Sequence, residues 1–265
     1  SLAMLYLSPA ITVYFCVLAA LLGACVGSFL NCMAWRIVHA EPITKGRSHC
    51  DACGHVLSAA DLVPVVSFLA HRGKCRYCGA KLSKRHLWGE ILSALTFVAL
   101  LLKYDISLQT LEYLLFASLL LGCAFADLEG YMIPDRFILA GIIFRIPFFF
   151  LLPDWKGQVL DAAIGGFAIG GGLLLIVLVY EKIRKTEAMG GGDLKLLFLT
   201  GLYLGWQRNL LCLFFACILG IAVGLLTAKK REEKLFPWGP SIAAGAIISA
   251  LCGGELISAY LGLFV

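Results

Sequence analysis

Charge is what this chain has least of. Only 15% of its 265 residues are Asp, Glu, Lys or Arg, against 60% hydrophobic. A soluble domain of that length needs far more polar surface, so the shortage excludes a soluble class and points to a membrane protein. No basic segment precedes the first apolar run, which argues against a cleavable secretory signal. Ser1-Leu2-Ala3 ahead of Met4 reads as an addition to a natural start at Met4. No internal repeat and no low-complexity tract is visible.

What fills the chain instead is apolar runs long enough to cross a bilayer as helices. Eight spans are predicted, at 10–35, 87–102, 108–126, 136–152, 159–180, 194–206, 209–228 and 240–264. The one sizeable polar segment runs from Arg36 to His86. The expected fold is therefore an all-α polytopic membrane protein with a small cytoplasmic, zinc-ribbon-like insertion. In domain terms, 1–35 is a first transmembrane helix, 36–86 a cytoplasmic cysteine-rich zinc-binding domain, and 87–265 a membrane-embedded domain.

Orientation follows from Lys and Arg. With the N-terminus outside, segments 36–86, 127–136, 181–195 and 229–236 face inward and carry 18 of the 22 basic residues. The outward loops carry only Lys103, Lys156 and Arg208, while Arg145 falls inside a span. The bias places the insertion in the cytoplasm.

Acids are also rare near the spans. Asp127 ends the third and Asp193 opens the sixth, the latter behind Gly190-Gly191-Gly192 and two residues before Lys195. Both fall on the cytoplasmic side at similar depth, although the topology was drawn without them. Two carboxyl groups facing each other there repel, so one keeps a proton while the other stays ionised. Such a pair suits hydrolysis: the carboxylate takes a proton from water and the acid donates to a carbonyl oxygen. The three glycines would free the backbone and let a substrate strand approach. Helix capping and a proton relay remain open on the same residues. Glu129 and Asp135 are weaker candidates, Asp135 reading as a helix N-cap.

Eleven cysteines are present. Seven lie singly in apolar runs and read as small buried hydrophobes. The other four form two Cys-x-x-Cys knuckles, Cys50 with Cys53 and Cys75 with Cys78, each followed by glycine and separated by 21 residues. Four thiolates at this spacing suit a structural, tetrahedral zinc site with no open position for water. A reducing cytoplasm argues against two disulfides. The basic residues around the knuckles fit the orientation bias, so nucleic acid is not an expected partner.

Beyond these patterns the chain resembles the prepilin leader peptidase family, the Gly-x-Gly-Asp aspartyl proteases of type IV prepilins. The resemblance rests on Gly27-Ser28-Phe29-Leu30-Asn31 with Arg36, and on 48–90 including Asp61-Leu62-Val63-Pro64-Val65. It rests also on Asp127 through Ile133-Pro134-Asp135, on Met189-Gly190-Gly191-Gly192-Asp193-Leu194-Lys195, and on Phe236-Pro237-Trp238-Gly239-Pro240. It implies a multi-pass protein of the bacterial inner membrane, with prepilins or pseudopilins as substrates. Cleavage would follow a glycine that ends a basic leader, and the new N-terminus would be methylated from S-adenosylmethionine. It further implies Asp127 and Asp193 as the protease pair and the four knuckle cysteines as zinc ligands. Two departures stand out: Trp238 where the family often has phenylalanine, and His86-Leu87-Trp88-Gly89 before Glu90. Methylation rests on the resemblance alone, because no Gly-x-Gly-x-x-Gly follows a strand and the insertion is too small for a Rossmann domain. A presenilin-type protease is disfavoured by the knuckles. A proton-coupled transporter using Asp127 and Asp193 is disfavoured by the missing repeat and by acids at the boundary instead of the midplane.

Overall fold

The structure is a computed structural model that describes residue 5 and residues 8–43, 46–50, 52–185, 190–227 and 236–263. Residues 1–4, Lys45, Asp51, Met189 and the basic group Lys229, Lys230, Arg231 and Lys234 lie outside the described residues.

The helices are α1 (Pro9–Val38), α2 (Val66–Ala70), α3 (Lys84–Tyr104), α4 (Leu108–Gly130), α5 (Asp135–Leu151), α6 (Trp155–Ala163), α7 (Gly171–Arg184), α8 (Gly191–Thr227) and α9 (Gly239–Leu261). A π-helical stretch, Ile164–Gly170, joins α6 to α7. No strand occurs among the described residues, as expected for an all-α protein. Helix starts follow local chemistry. The Ser8 hydroxyl accepts from the Ile11 N–H ahead of Pro9, and the Ser83 hydroxyl accepts from Arg85 N–H at the head of α3. Large apolar side chains such as Phe150, Leu175, Ile176 and Leu225 stay exposed, which in this class is the surface offered to lipid.

Among the described residues, six helices are long and apolar enough to cross a membrane, where eight spans were expected. These are α1, α3, α4, the continuous α6–α7, α8 and α9. Two expected spans account for the difference in count. Helix α5 has 17 residues with Pro147 inside it, and the expected sixth and seventh spans merge into the 37 residues of α8.

A straight α8 would be about 55 Å long, far beyond a hydrocarbon core of about 30 Å. It is not straight. At Gly205 the backbone has φ 72° and ψ 178°. Asn209 Nδ2 donates to Leu197 O at 3.2 Å, and Thr200 Oγ1 donates to Asn209 Oδ1 at 2.7 Å. Residues 12 positions apart in a continuous helix are about 18 Å apart, so the chain doubles back at Gly205. The open helix ends are met by charge of the matching sign. Arg145 Nε donates to Leu202 O at 3.0 Å, and Asp161 Oδ1 accepts from Trp206 N at 3.2 Å. Arg145 is itself paired with the Glu112 carboxylate, both buried. A lone buried charge there would be far costlier than the pair. Gly165 and Gly201 meet backbone to backbone, the close packing that residues without a side chain allow between helices.

The chain forms two compact units, one ending at Thr110 and the other beginning at Leu111. In the first, α1 packs along α3 with Gly23 and Gly27 against Ser93 and Gly89. The polar insertion is tied to both helices. Arg36 donates to the carbonyls of Ile43 and Gly46, and Glu90 Oε2 accepts from Val65 N–H at 2.7 Å. Both of the sequence segments around Gly27 and Glu90 thus have packing and anchoring roles. In the second unit α4 is the innermost helix, with 72% of its most apolar window buried.

Candidate active site and cysteine cluster

Helix α4 runs one turn past its expected end, so Asp127 sits just inside its C-terminus and is only 5% exposed. The helix stops where Tyr131, at φ 53°, returns its N–H to Asp127 O at 2.9 Å. Asp127 Oδ2 accepts from Gly239 N–H at 2.8 Å. Gly239 is the first residue of α9, whose leading N–H groups have no partner within the helix. Asp127 therefore caps a helix other than its own, and capping does not compete with a chemical role.

Asp193 lies half-buried in the first turn of α8, the expected place, and within the electrostatic field of Asp127. Two contacts bring the aspartate-bearing segments together. Gly192 packs so closely on Ile133 that an added Cβ would lie 3.0 Å from the Ile133 Cβ. Lys195 Nζ bonds Asp135 Oδ1 at 2.6 Å. Both groups of that ion pair are well exposed, so it orients more than it stabilises, at roughly 0–1 kcal/mol. Asp135 is not an N-cap: Pro134 holds that position and Asp135 begins the first turn of α5. Glu129 lies in the last turn of α4.

The glycine run does not rest on unusual torsions. None of Gly190, Gly191 and Gly192 has a positive φ. Gly191 has open space where a side chain would stand, and Gly190 and Gly191 are exposed.

Gly239 is the site residue for which the sequence assigned no role. Its segment is fixed by Trp238, whose Nε1 donates to Ala216 O at 3.1 Å in the second limb of α8. A phenylalanine there has no such donor, so the departure at Trp238 adds an anchor. A Cβ at Gly239 would lie 2.8 Å from Asp127 Oδ2. Gly239→Ala is expected to displace that carboxylate and to lower peptide cleavage about tenfold, a change of about 1.4 kcal/mol in the barrier. An unchanged initial rate would show that the Gly239 amide does not position Asp127.

The four knuckle cysteines come together in the first unit. Their Sγ atoms all lie within 4.8 Å of one another, with Cys50 and Cys78 3.9 Å apart, and none is in a disulfide. Tetrahedral zinc with Zn–S bonds of about 2.3 Å needs sulfurs about 3.8 Å apart, so the donor set fits a metal. The knuckles are near copies. Gly54 N–H bonds Cys50 O and Gly79 N–H bonds Cys75 O, at φ 69° and 72°. Isolated bridges His49–Val56 and Lys74–Lys81 close the two hairpins. Backbone N–H groups of Cys78 and Tyr77 bring the Cys75 thiol down to about 7, whereas Cys78, despite the Ala80 N–H, is pushed up to about 11 by burial and the neighbouring thiols.

Residues 21–104 match the bacterial peptidase A24 N-terminal domain, and residues 114–225 match the type IV leader peptidase family. A protein of Bacillus subtilis (strain 168) named prepilin leader peptidase/N-methyltransferase is 32% identical over 248 residues, covering 90% of this chain and 95% of its own. This chain belongs to the type IV leader peptidase family. A Pseudomonas putida protein of the same name is 31% identical, covering 94% of this chain and 95% of its own. One from Myxococcus xanthus (strain DK1622) is 34% identical, covering 80% and 63%. No solved structure matches significantly. Nothing among these leader-peptidase relatives supports the transporter reading.

Proposed function

We propose that this leader peptidase family member cleaves the leader of type IV prepilins or pseudopilins after a glycine and then N-methylates the new N-terminal residue. Asp127 and Asp193 are the catalytic pair. The observation that carries this reading is that the segments bearing them, more than sixty residues apart, pack together through Gly192 on Ile133 and Lys195 on Asp135, with Asp127 buried on the Gly239 amide. One carboxylate takes a proton from the attacking water while the other, protonated, donates to the scissile carbonyl oxygen. Two acids in one field cannot both ionise readily, which keeps that proton in the pair. Within the run Gly190-Gly191-Gly192, Gly191 leaves room for the extended leader junction, Gly192 allows the close approach to Ile133, and Lys195 holds the opening turn of α8 to α5.

The same reading assigns the roles of the segments. Residues 1–35 form the first transmembrane helix, 36–86 a cytoplasmic zinc-binding domain, and 87–265 the peptidase domain of a bacterial inner-membrane protein. The N-terminus is outside and the aspartates face the cytoplasm, where leaders are presented. Gly205 supports eight crossings, since a chain that reverses there crosses twice within α8, and α5 supplies the other. Cys50, Cys53, Cys75 and Cys78 hold one zinc, whose closed shell fixes the fold of the insertion and leaves no site for water.

The test is incubation of purified protein with a pilin leader peptide, with and without S-adenosylmethionine, followed by mass analysis. The expected products are a fragment cut after glycine and, with the methyl donor, the same fragment heavier by one methyl group. An intact peptide under conditions that support folding would sink the peptidase reading.

Zinc removal should act on the insertion. Cys50→Ser or Cys75→Ser is expected to bring metal content from one zinc per chain to near zero, because loss of one thiolate opens the shell. Cleavage should persist at a reduced rate and methylation should fall further. Complete loss of cleavage in well-folded variants would contradict a purely structural metal.

A further inference from the structure

The polar insertion of the first unit contains one turn whose outer side is apolar. At Pro64-Val65-Val66 the Val66 N–H bonds Pro64 O at 2.6 Å, and Val65 sits at φ 61° and ψ −49°. This is a γ-turn of the rare and strained kind, made here by a β-branched residue. Around it four large apolar side chains stand in the open. Leu62 and Val63 are each 43% exposed, Val66 62% and Leu69 63%. Val66 and Leu69, three apart on α2, share a face. Another side of α2 is already used, since Phe68 lies against Gly73. A contiguous apolar patch of this kind on an otherwise polar segment marks an interaction site.

What covers the patch follows from where the turn is held. Val65 N–H bonds Glu90 Oε2 at 2.7 Å, and Glu90 is buried. Glu90 lies in α3 six residues after Lys84, about 9 Å along the helix axis. That is past the start of the apolar run at 87 and close to the level of Trp88. Trp88 is 65% exposed, with Leu92 and Leu95 exposed on the same face of α3. A tryptophan at the end of a spanning helix sits at the headgroup level of a bilayer. The strained turn is thus pinned at the depth where lipid begins, not above it in water. Charge agrees with that placement. Among the described residues of the insertion every exposed charged side chain is basic: Arg47, Arg72, Lys74, Arg76, Lys81 and Lys84. Such a rim suits anionic headgroup phosphates and repels a basic leader, so lipid fits this face better than substrate does.

We propose that the turn at 62–69 is a membrane anchor, with Leu62, Val63, Val66 and Leu69 entering the headgroup–acyl boundary of the bilayer. The cysteine-rich insertion is then fixed to the membrane at a third point besides α1 and α3, which limits its swing about the two helix ends. The Glu90 bond sets the depth of the anchor and holds Val65 in its strained conformation. The anchor requires only that α1 and α3 span the bilayer, so it stands or falls apart from the leader-peptidase reading.

Val66→Trp and Leu69→Trp place a fluorophore at exposed positions and disturb no packed side chain. Each full-length variant is reconstituted in vesicles of phosphatidylethanolamine and phosphatidylglycerol and compared with wild type, whose five tryptophans supply the background. Lipid brominated on the upper acyl chain should quench roughly half or more of the added emission. Iodide in the water should leave that emission unchanged. Added emission open to iodide and untouched by brominated lipid overturns the anchor. Emission shielded from both quenchers also overturns it, because protein would then cover the turn. Shielding from iodide that appears only when a prepilin is added would make the patch a substrate-docking face and overturns it too. Leader cleavage, followed on the same vesicles, reports on the peptidase reading independently.

Discussion

Asp127→Asn and Asp193→Asn are each expected to reduce leader cleavage by about 10³-fold, within the range that general acid–base groups contribute. An amide can neither accept the water's proton nor return one, yet it preserves shape. Asp127→Asn can still accept the Gly239 amide through its oxygen, so loss of activity there reports chemistry and not loss of the α9 cap. Single-turnover rates on a leader peptide give the measurement, with elution profile and zinc content as controls for folding. In the wild type the cleavage rate should follow a bell in pH, since one group of the pair must be charged and its partner neutral; the two limbs belong to the pair. A variant that keeps near-normal turnover would remove its residue from the mechanism.

The two aspartates stood out as candidates because charge is so rare in this chain that an acid at a span end is conspicuous. The knuckles were legible because Cys-x-x-Cys-Gly is a local device: spacing and turn lie within five residues. What was not legible depended on contacts between distant segments. Gly239 stood in the sequence only as part of the Phe236–Pro240 segment, with no role of its own, and only the placement of α9 shows its amide on Asp127. Hydropathy separated the two limbs of α8 only as a dip around residues 207 and 208, whereas the turn is made at Gly205 by torsions a hydropathy scale does not register. Asp135 was misjudged as a cap because Pro134, with no N–H and a fixed φ, takes the N-cap position itself. The partner of Asp135, Lys195, lies sixty residues on and cannot be read from either neighbourhood.

Gly205→Ala is expected to be among the most damaging single changes outside the aspartates. With φ 72° and ψ 178°, Gly205 occupies a region open essentially to glycine, and forcing another residue there costs about 1–3 kcal/mol. The new Cβ would also collide with the Asp161 carboxylate. Asp161 would have to leave the Trp206 N–H, exposing an unpartnered amide beside apolar chain at a further cost of about 1–3 kcal/mol. Together these amount to a large part of an ordinary folding stability of about 5–15 kcal/mol. Thermal unfolding in detergent should fall by about 10 °C, taking about 2–4 °C per kcal/mol for a chain of this size. Cleavage should fall with it, because the limb before Gly205 begins with Asp193 and its register against the limb after it is set by Thr200 and Asn209. Gly171→Ala is the matched control: Gly171 has φ −70° and open space where the Cβ would stand, so that variant should melt at or about 2–4 °C above wild type. Equal melting of Gly205→Ala and Gly171→Ala would mean that α8 does not depend on its reversal at Gly205.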